Sequence, residues 1–266
     1  MSSNKKSREE KLKQEIAFIA TKHTGGLKST KELVSNCNIK KNDYVLDVGC
    51  GLGTTACSIA KEYGCKIVGI DISKKMVEWS KKRAKKEGLE DFLSFRVADA
   101  QNLPFNENSF DVVIAESVNA FVDDKQKAIN EYTRVVKPKG YVGLNEATWI
   151  KLPAPKEIMD AFSHIHKMLF DVGLKAYKNW VNENSAESWD NLLKNAGLIN
   201  RNFKTFSSNT KFEVSNRIKT VGLVRIIRIY FYSLISKRFR TWLKKIAVPE
   251  KAFEYYGYGI YIGQKP

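Results

Sequence analysis

The stretch Val45-Leu-Asp-Val-Gly-Cys-Gly-Leu-Gly53 runs from a short apolar segment straight into a turn that holds three glycines. Behind the turn, Ala56, Ile59, Ala60 and Tyr63 recur at helical spacing. A strand, a glycine-rich turn and a helix in that order let a ligand approach the backbone closely, because no Cβ intervenes.

The same alternation continues along the chain. Lys66-Ile-Val-Gly-Ile70 reads as a second strand ending at Asp71, and Ser73 as the cap of a helix with Met76, Val77 and Ala84 inward. Leu93–Val97 is a third strand ending at Ala98-Asp99, and Asp111–Ala115 a fourth ending at Glu116. Asp124–Val136 reads as a helix stopped by Pro138-Lys-Gly140, and Tyr141–Asn145 as the fifth strand. Further on come a helix over Ser185–Ala196, a sixth strand over Leu198–Phe206 and an aromatic, alternating last strand over Tyr256–Gly263. This rhythm predicts an α/β fold, a mostly parallel sheet with helices on both faces.

Ligands of open α/β sheets bind at the carboxyl ends of the strands. Asp47, Asp71, Asp99 and Glu116 all fall at such ends. The turn has G-x-G-x-G spacing, not the G-x-G-x-x-G of dinucleotide sites, and Asp47 precedes its first glycine by two residues. An acid there repels a pyrophosphate and attracts an amine, so the sequence favours a cofactor with an ammonium group. Asp71 is placed to accept both hydroxyls of a ribose, and Asp99 to meet an adenine amino group. Cys50 reads as the small residue of the turn rather than a nucleophile.

DVGCGLG, VGID, VADAQNLPF, SFDVVIAESV and RVVKPKG, in that order, resemble the class I S-adenosylmethionine-dependent methyltransferases, most closely their quinone and sterol methyltransferase-like, small-molecule branch. The resemblance covers about Ile39 to Glu146. It implies a Rossmann-like seven-stranded sheet with an antiparallel last strand, and S-adenosylmethionine as cofactor. It implies that Gly49, Cys50, Gly51 and Gly53 line the methionine and ribose side, and that Asp47 faces the methionine amino group. It further implies Asp71 on the ribose, Ile72 against the adenine, Asp99 and Ala100 at the adenine edge, and Glu116, Ser117 and Val118 near the sulfonium and the acceptor. His23-Thr-Gly-Gly26 resembles a segment that closes over the cofactor in some relatives. His23 and Glu116 are the candidate general bases.

On this reading, residues 1–38 close the cofactor site and 39–150 form the Rossmann-like core. Residues 151–184 form a helical cap, 185–206 the core helix and strand six, 207–252 a basic amphipathic insert, and 253–266 the final strand. Trp149, Phe162, Phe170 and Trp180 are read first as core of the cap, with an acceptor pocket as the alternative. His164 and His166, two apart, cannot share a helical face, so no metal site is expected. Asp123-Asp124 are read as caps of the following helix.

The chain has 266 residues, with 45 Lys and Arg against 29 Asp and Glu, a net charge of +16. Nine bases and no acid lie between Val214 and Pro249, interleaved with apolar and aromatic residues. Such a segment predicts peripheral contact with an anionic membrane through 214–246, or a lid over the site with its bases in solvent. No apolar stretch approaches the length of a span, and no secretory signal is visible. The expectation is a cytoplasmic chain with reduced cysteines, peripheral at the membrane. Its expected activity is methyl transfer to a small or lipid-like acceptor. Nucleic acid is disfavoured: after strand four the sequence reads Glu116-Ser-Val-Asn119, not an Asn/Asp-Pro-Pro-Tyr motif. A non-catalytic cofactor-binding scaffold is the third reading.

Overall fold

The computed structural model describes residues 9, 10, 12, 25–171, 184–209, 215, 218, 223–245 and 247–266. In chain order these give α1 (Gly26–Asn36), β1 (Tyr44–Val48), α2 (Thr54–Tyr63), β2 (Lys66–Asp71), α3 (Lys74–Glu87), β3 (Leu93–Val97) and β4 (Phe110–Glu116). There follow α4 (Lys125–Val135), β5 (Val136–Trp149), α5 (Lys156–Asp171), α6 (Ala186–Asn195), β6 (Ile199–Ser207), α7 (Leu223–Ile235), α8 (Lys237–Lys245) and β7 (Tyr256–Gln264).

Among the described residues, seven strands form one sheet in the order β3-β2-β1-β4-β5-β7-β6. The first five pair in parallel, and β7 lies antiparallel between β5 and β6. The inner strands are buried on both faces, which is why they read as nearly continuous Val, Ile and Leu runs. Alternate residues feed separate cores: Val45, Ile67 and Ile114 pack with Leu33 and Ile59 on one face. Leu46, Val113 and Leu144 pack with Tyr132 and Trp189 on the other. The strand order reverses between β1 and β4, so the chain leaves a crevice at their carboxyl ends, where ligands of such sheets bind.

Three elements differ from the sequence reading. The helix after strand four ends at Val135, and β5 already begins at Val136, which pairs with Phe110. Val136 is fully buried, so its packing holds it in the sheet, and Pro138–Gly140 form an excursion within the strand, with a register shift between Phe110 and Val112. The same strand runs on past Asn145 to Trp149 along β7. Among the described residues the basic insert is broken between α7 and α8: the Ser236 hydroxyl accepts the Phe239 N–H at 3.2 Å and caps α8 where α7 stops.

α5 packs on a third, smaller core. Trp149, Ile158, Phe162 and Ala252 are buried together, with Tyr256 against the Trp149 and Phe162 rings. Trp149 and Phe162 are therefore packing residues. Trp180 and the side chain of Phe170 lie outside the described residues. His164 is exposed. Asp124 caps α4 through the Lys127 N–H, as expected.

Candidate active site

The turn after β1 brings Gly49, Gly51 and Gly53 into the left-handed region, with φ of 66°, 53° and 70°. Glycine is required at both ends of the turn. A Cβ on Gly49 would overlap the Val118 side chain, and one on Gly53 would lie 2.8 Å from the Ser80 Cβ. The turn leads directly into α2, whose first N–H groups face the crevice end of the sheet. Cys50 sits buried between these glycines, and burial pushes its thiol far above the ordinary range, which leaves it no nucleophilic role.

Asp47 is 2% exposed, on the β1 edge of this turn. One of its oxygens, Oδ2, has no hydrogen-bond partner. Burial, then the nearby charges of Glu116 and Asp71, hold its carboxyl well above the usual range; the N–H of Ala56 opposes this. The charged groups acting on Asp47 are thus other carboxylates. A buried carboxylate in such company is expensive to ionise unless a cation joins it.

Asp71, at the end of β2, accepts the Gly51 N–H at 3.0 Å and the Ser73 N–H at 2.8 Å. It therefore ties the glycine turn to the start of α3. Beside it Ile72 is 74% exposed, an apolar side chain left open at the strand end. Asp99 follows β3, accepts the Gln101 N–H at 2.9 Å and is half-buried. Ala100 next to it is buried against the β2 side of the core.

Glu116 ends β4 and is held on every side. Its carboxylate accepts Thr30 at 3.0 and 3.1 Å, Thr55 at 2.9 Å and the Asn145 amide at 2.9 Å. Those partners come from α1, α2 and β5, so Glu116 joins three elements at the crevice. Ser117 then takes a left-handed backbone, φ 54°, and its N–H donates to the Asn145 carbonyl at 2.8 Å.

Glu146 was not singled out from the sequence. It is fully buried, and its Oε1 accepts the Val118 N–H, the Asn119 N–H and the Asn119 amide at 3.1, 3.0 and 2.9 Å. It thereby clamps the loop that sets Val118 over Gly49. Burial raises its carboxyl to about 7 against the lowering effect of those bonds. Glu146 directly follows the strand read over Tyr141–Asn145, but β5 runs on to Trp149 and leaves it inside the strand. Thr30, Thr55 and Asn145 carried no comparable pattern. The structure brings Asp47, Gly49, Cys50, Gly51, Gly53, Asp71, Glu116 and Ser117 to one end of the sheet, with Ile72, Asp99 and Ala100 along its β2–β3 side. His23 lies outside the described residues.

S-adenosylmethionine carries an ammonium, a sulfonium and a ribose. The buried Asp47 with its unpartnered oxygen beside the carboxylates of Glu116 and Asp71, a glycine turn that admits no Cβ at either end and an open apolar side chain suit it on each count. A diphosphate would meet Asp47 unfavourably.

Residues 46–144 match the family described as methyltransferase domain. An uncharacterized protein of Haemophilus influenzae is 29% identical over 232 residues, covering 85% of this chain and 87% of that one. Phosphoethanolamine N-methyltransferase 1 of Arabidopsis thaliana is 36% identical over 123 residues, covering 46% of this chain and 25% of that protein. The chain thus spans most of the first relative and a quarter of the second. A solved structure of geranyl diphosphate methyltransferase in complex with S-adenosylmethionine superposes with a TM-score of 0.64 at 14% identity, covering 90% of this chain and 84% of that one, a likeness of fold. With the strand order and the cradle, residues 46–144 form a methyltransferase domain, and the chain has the fold of the class I S-adenosylmethionine-dependent methyltransferases.

Proposed function

We propose that the chain transfers a methyl group to a small, lipid-like acceptor by in-line displacement, with its rate drawn mainly from positioning. The observation that supports this most is the buried Asp47, its Oδ2 unpartnered beside a turn that only glycine can form. Bound S-adenosylmethionine supplies an electrophilic methyl on a positively charged sulfur.

The chain's own residues bind and orient. Asp47 takes the methionine ammonium, and Gly49, Cys50, Gly51 and Gly53 form the wall beside it. Asp71 takes the ribose hydroxyls while its existing bonds hold the turn in shape. Ile72 covers the adenine, and Asp99 with the Ala100 backbone meets its edge. Glu116, already bonded to Thr30, Thr55 and Asn145, acts through its charge on the cationic cofactor rather than by taking a proton. Ser117 and Val118 form the side nearest the acceptor. Where an acceptor must lose a proton, His23 is the base in this proposal. The acceptor atom needs to be held about 3–3.5 Å from the methyl and in line with the sulfur, with water excluded.

The relatives' names support a small acceptor: one is a phosphoethanolamine N-methyltransferase, and one structural neighbour a geranyl diphosphate methyltransferase. The same proposal places the enzyme peripherally on an anionic membrane, where a lipid-like acceptor would be met. Among the described residues no helix is long and apolar enough to cross a membrane. A labelled methyl donor offered with lipid extract, a panel of small amines and phenols, and total RNA tests the acceptor. Label in the lipid or small-molecule fraction supports the proposal. Label in RNA transfers the reading to nucleic acid, and no label anywhere favours a binding scaffold.

A further inference from the structure

The insert between β6 and β7 has an inner and an outer side. Inward, α7 and α8 pack through Tyr232 edge-on to Phe239 at 4.9 Å, with Trp242 stacked on Phe239 at 6.0 Å. Phe239 is fully buried. Outward, α7 presents Ile227, Tyr230, Phe231, Leu234 and Ile235, spaced i, i+3, i+4, i+7 and i+8, which is a single helix face. These five are between 42% and 77% exposed. A helix face that packs within its own chain is covered; this one is not, although Tyr232, on the flank of the same helix, is docked on α8.

The charges carried by α7 and α8 are of one sign. Arg228 is exposed on the same helix, and Lys237, Arg238, Arg240, Lys244 and Lys245 are exposed on α8. Arg238 reaches Glu9 at 3.6 Å. No acid occurs in the sequence from Val214 to Pro249. A second copy docking through the same face would bring like charges together, so the complementary occupant is anionic. It must also accept aromatic and branched aliphatic side chains without fixed shape. An anionic bilayer surface does both, and the aromatic rings suit its interface. With 13 residues, α7 is about 20 Å long, too short for the hydrocarbon thickness and long enough to lie in the headgroup plane.

We propose that α7 lies flat in the surface of an anionic membrane, with Ile227, Tyr230, Phe231, Leu234 and Ile235 inserted and the bases of α8 on the lipid headgroups. The inference deepens the peripheral part of the proposed function and rests on it for its purpose, not for its geometry.

The test is co-sedimentation of the full chain with phosphatidylcholine vesicles, with and without phosphatidylglycerol. The chain should pellet with the phosphatidylglycerol vesicles at low salt and be released at high salt. The double variant F231S/I235S should lose the pellet. The triple variant K237Q/R240Q/K244Q should weaken it about a hundredfold, at about fivefold for each base near the surface. These side chains are exposed, so each variant should keep the wild-type melting temperature and S-adenosylmethionine affinity, both measured alongside. Absence of pelleting with anionic vesicles overturns the inference. So does equal pelleting with neutral vesicles, or a dimer in solution that F231S/I235S dissociates, or preferential binding of RNA over vesicles. A chain that binds S-adenosylmethionine but leaves vesicles untouched keeps the cofactor site and loses membrane docking; one that docks but binds no cofactor does the reverse.

Discussion

The charge of Glu116 raises the proton affinity of Asp47, so the two carboxylates at the crevice oppose each other until a cation lies between them. Glu116 is held there by hydroxyls and an amide, none of which cancels its charge. Their opposition costs the cofactor-free protein stability, and a bound cation relieves it.

Asp47→Asn should therefore stabilise the cofactor-free protein. A carboxyl whose folded pKa is raised holds its proton to higher pH than in the unfolded chain. The stability present below its unfolded value, near 3.8, is lost as pH rises through the folded value. The variant should melt higher than wild type at neutral and alkaline pH and show a flatter pH dependence, read by thermal melts without ligand. A lower melting point for the variant would contradict the account.

Glu146 titrates in the same sense over a defined window. Stability should fall as pH rises from about 4.5 to about 7, by on the order of 3 kcal/mol. Glu146→Gln keeps an oxygen for the Val118 and Asn119 N–H groups and removes the buried charge, so it should match or exceed wild-type stability at pH 8. Glu146→Ala releases the loop and should lower both stability and cofactor affinity. Urea melts at pH 5 and pH 8 separate the two substitutions.

Gly49→Ala should be severely damaging. Left-handed backbone costs a side-chain-bearing residue about 1–2 kcal/mol, and here the methyl would also overlap Val118. The expected result is a depressed melting point with loss of S-adenosylmethionine binding. Gly88→Ala is the control: its φ is also positive, at 66°, but its Cβ meets nothing, so it should lose stability and keep the cofactor.

Asp71 acts on the turn as well as on the ligand. Because it accepts N–H groups from both Gly51 and Ser73, Asp71→Asn should bind cofactor almost as poorly as Asp71→Ala, although the amide could still meet a hydroxyl. Both should lose roughly 10–100-fold in affinity, the worth of hydrogen bonds to a charged group. Affinity of the Asn variant near that of wild type would show that the turn does not depend on Asp71.

The cofactor half of the site was legible because each acid ends an apolar run: Asp47, Asp71, Asp99 and Glu116 mark the point where a strand leaves the core. Glu146 escaped because β5 continues past Asn145 in partnership with β7, a pairing between strands far apart in sequence. Thr30 and Thr55 sit on amphipathic helices, where a threonine near the buried face carries no periodic signal. The split of the insert at Ser236 did have a local cause, a serine three residues before Phe239, but the apolar and basic pattern runs through it unbroken. The β5 start at Val136 depended on burial that follows only from the assembled sheet.

The most direct measurement is a calorimetric titration of the full chain with S-adenosylmethionine, wild type beside Asp47→Asn. The account predicts a single site of micromolar affinity in the wild type, weakened roughly 10–100-fold in a variant that is itself more stable. No binding by the wild type, or equal binding by both, would contradict it.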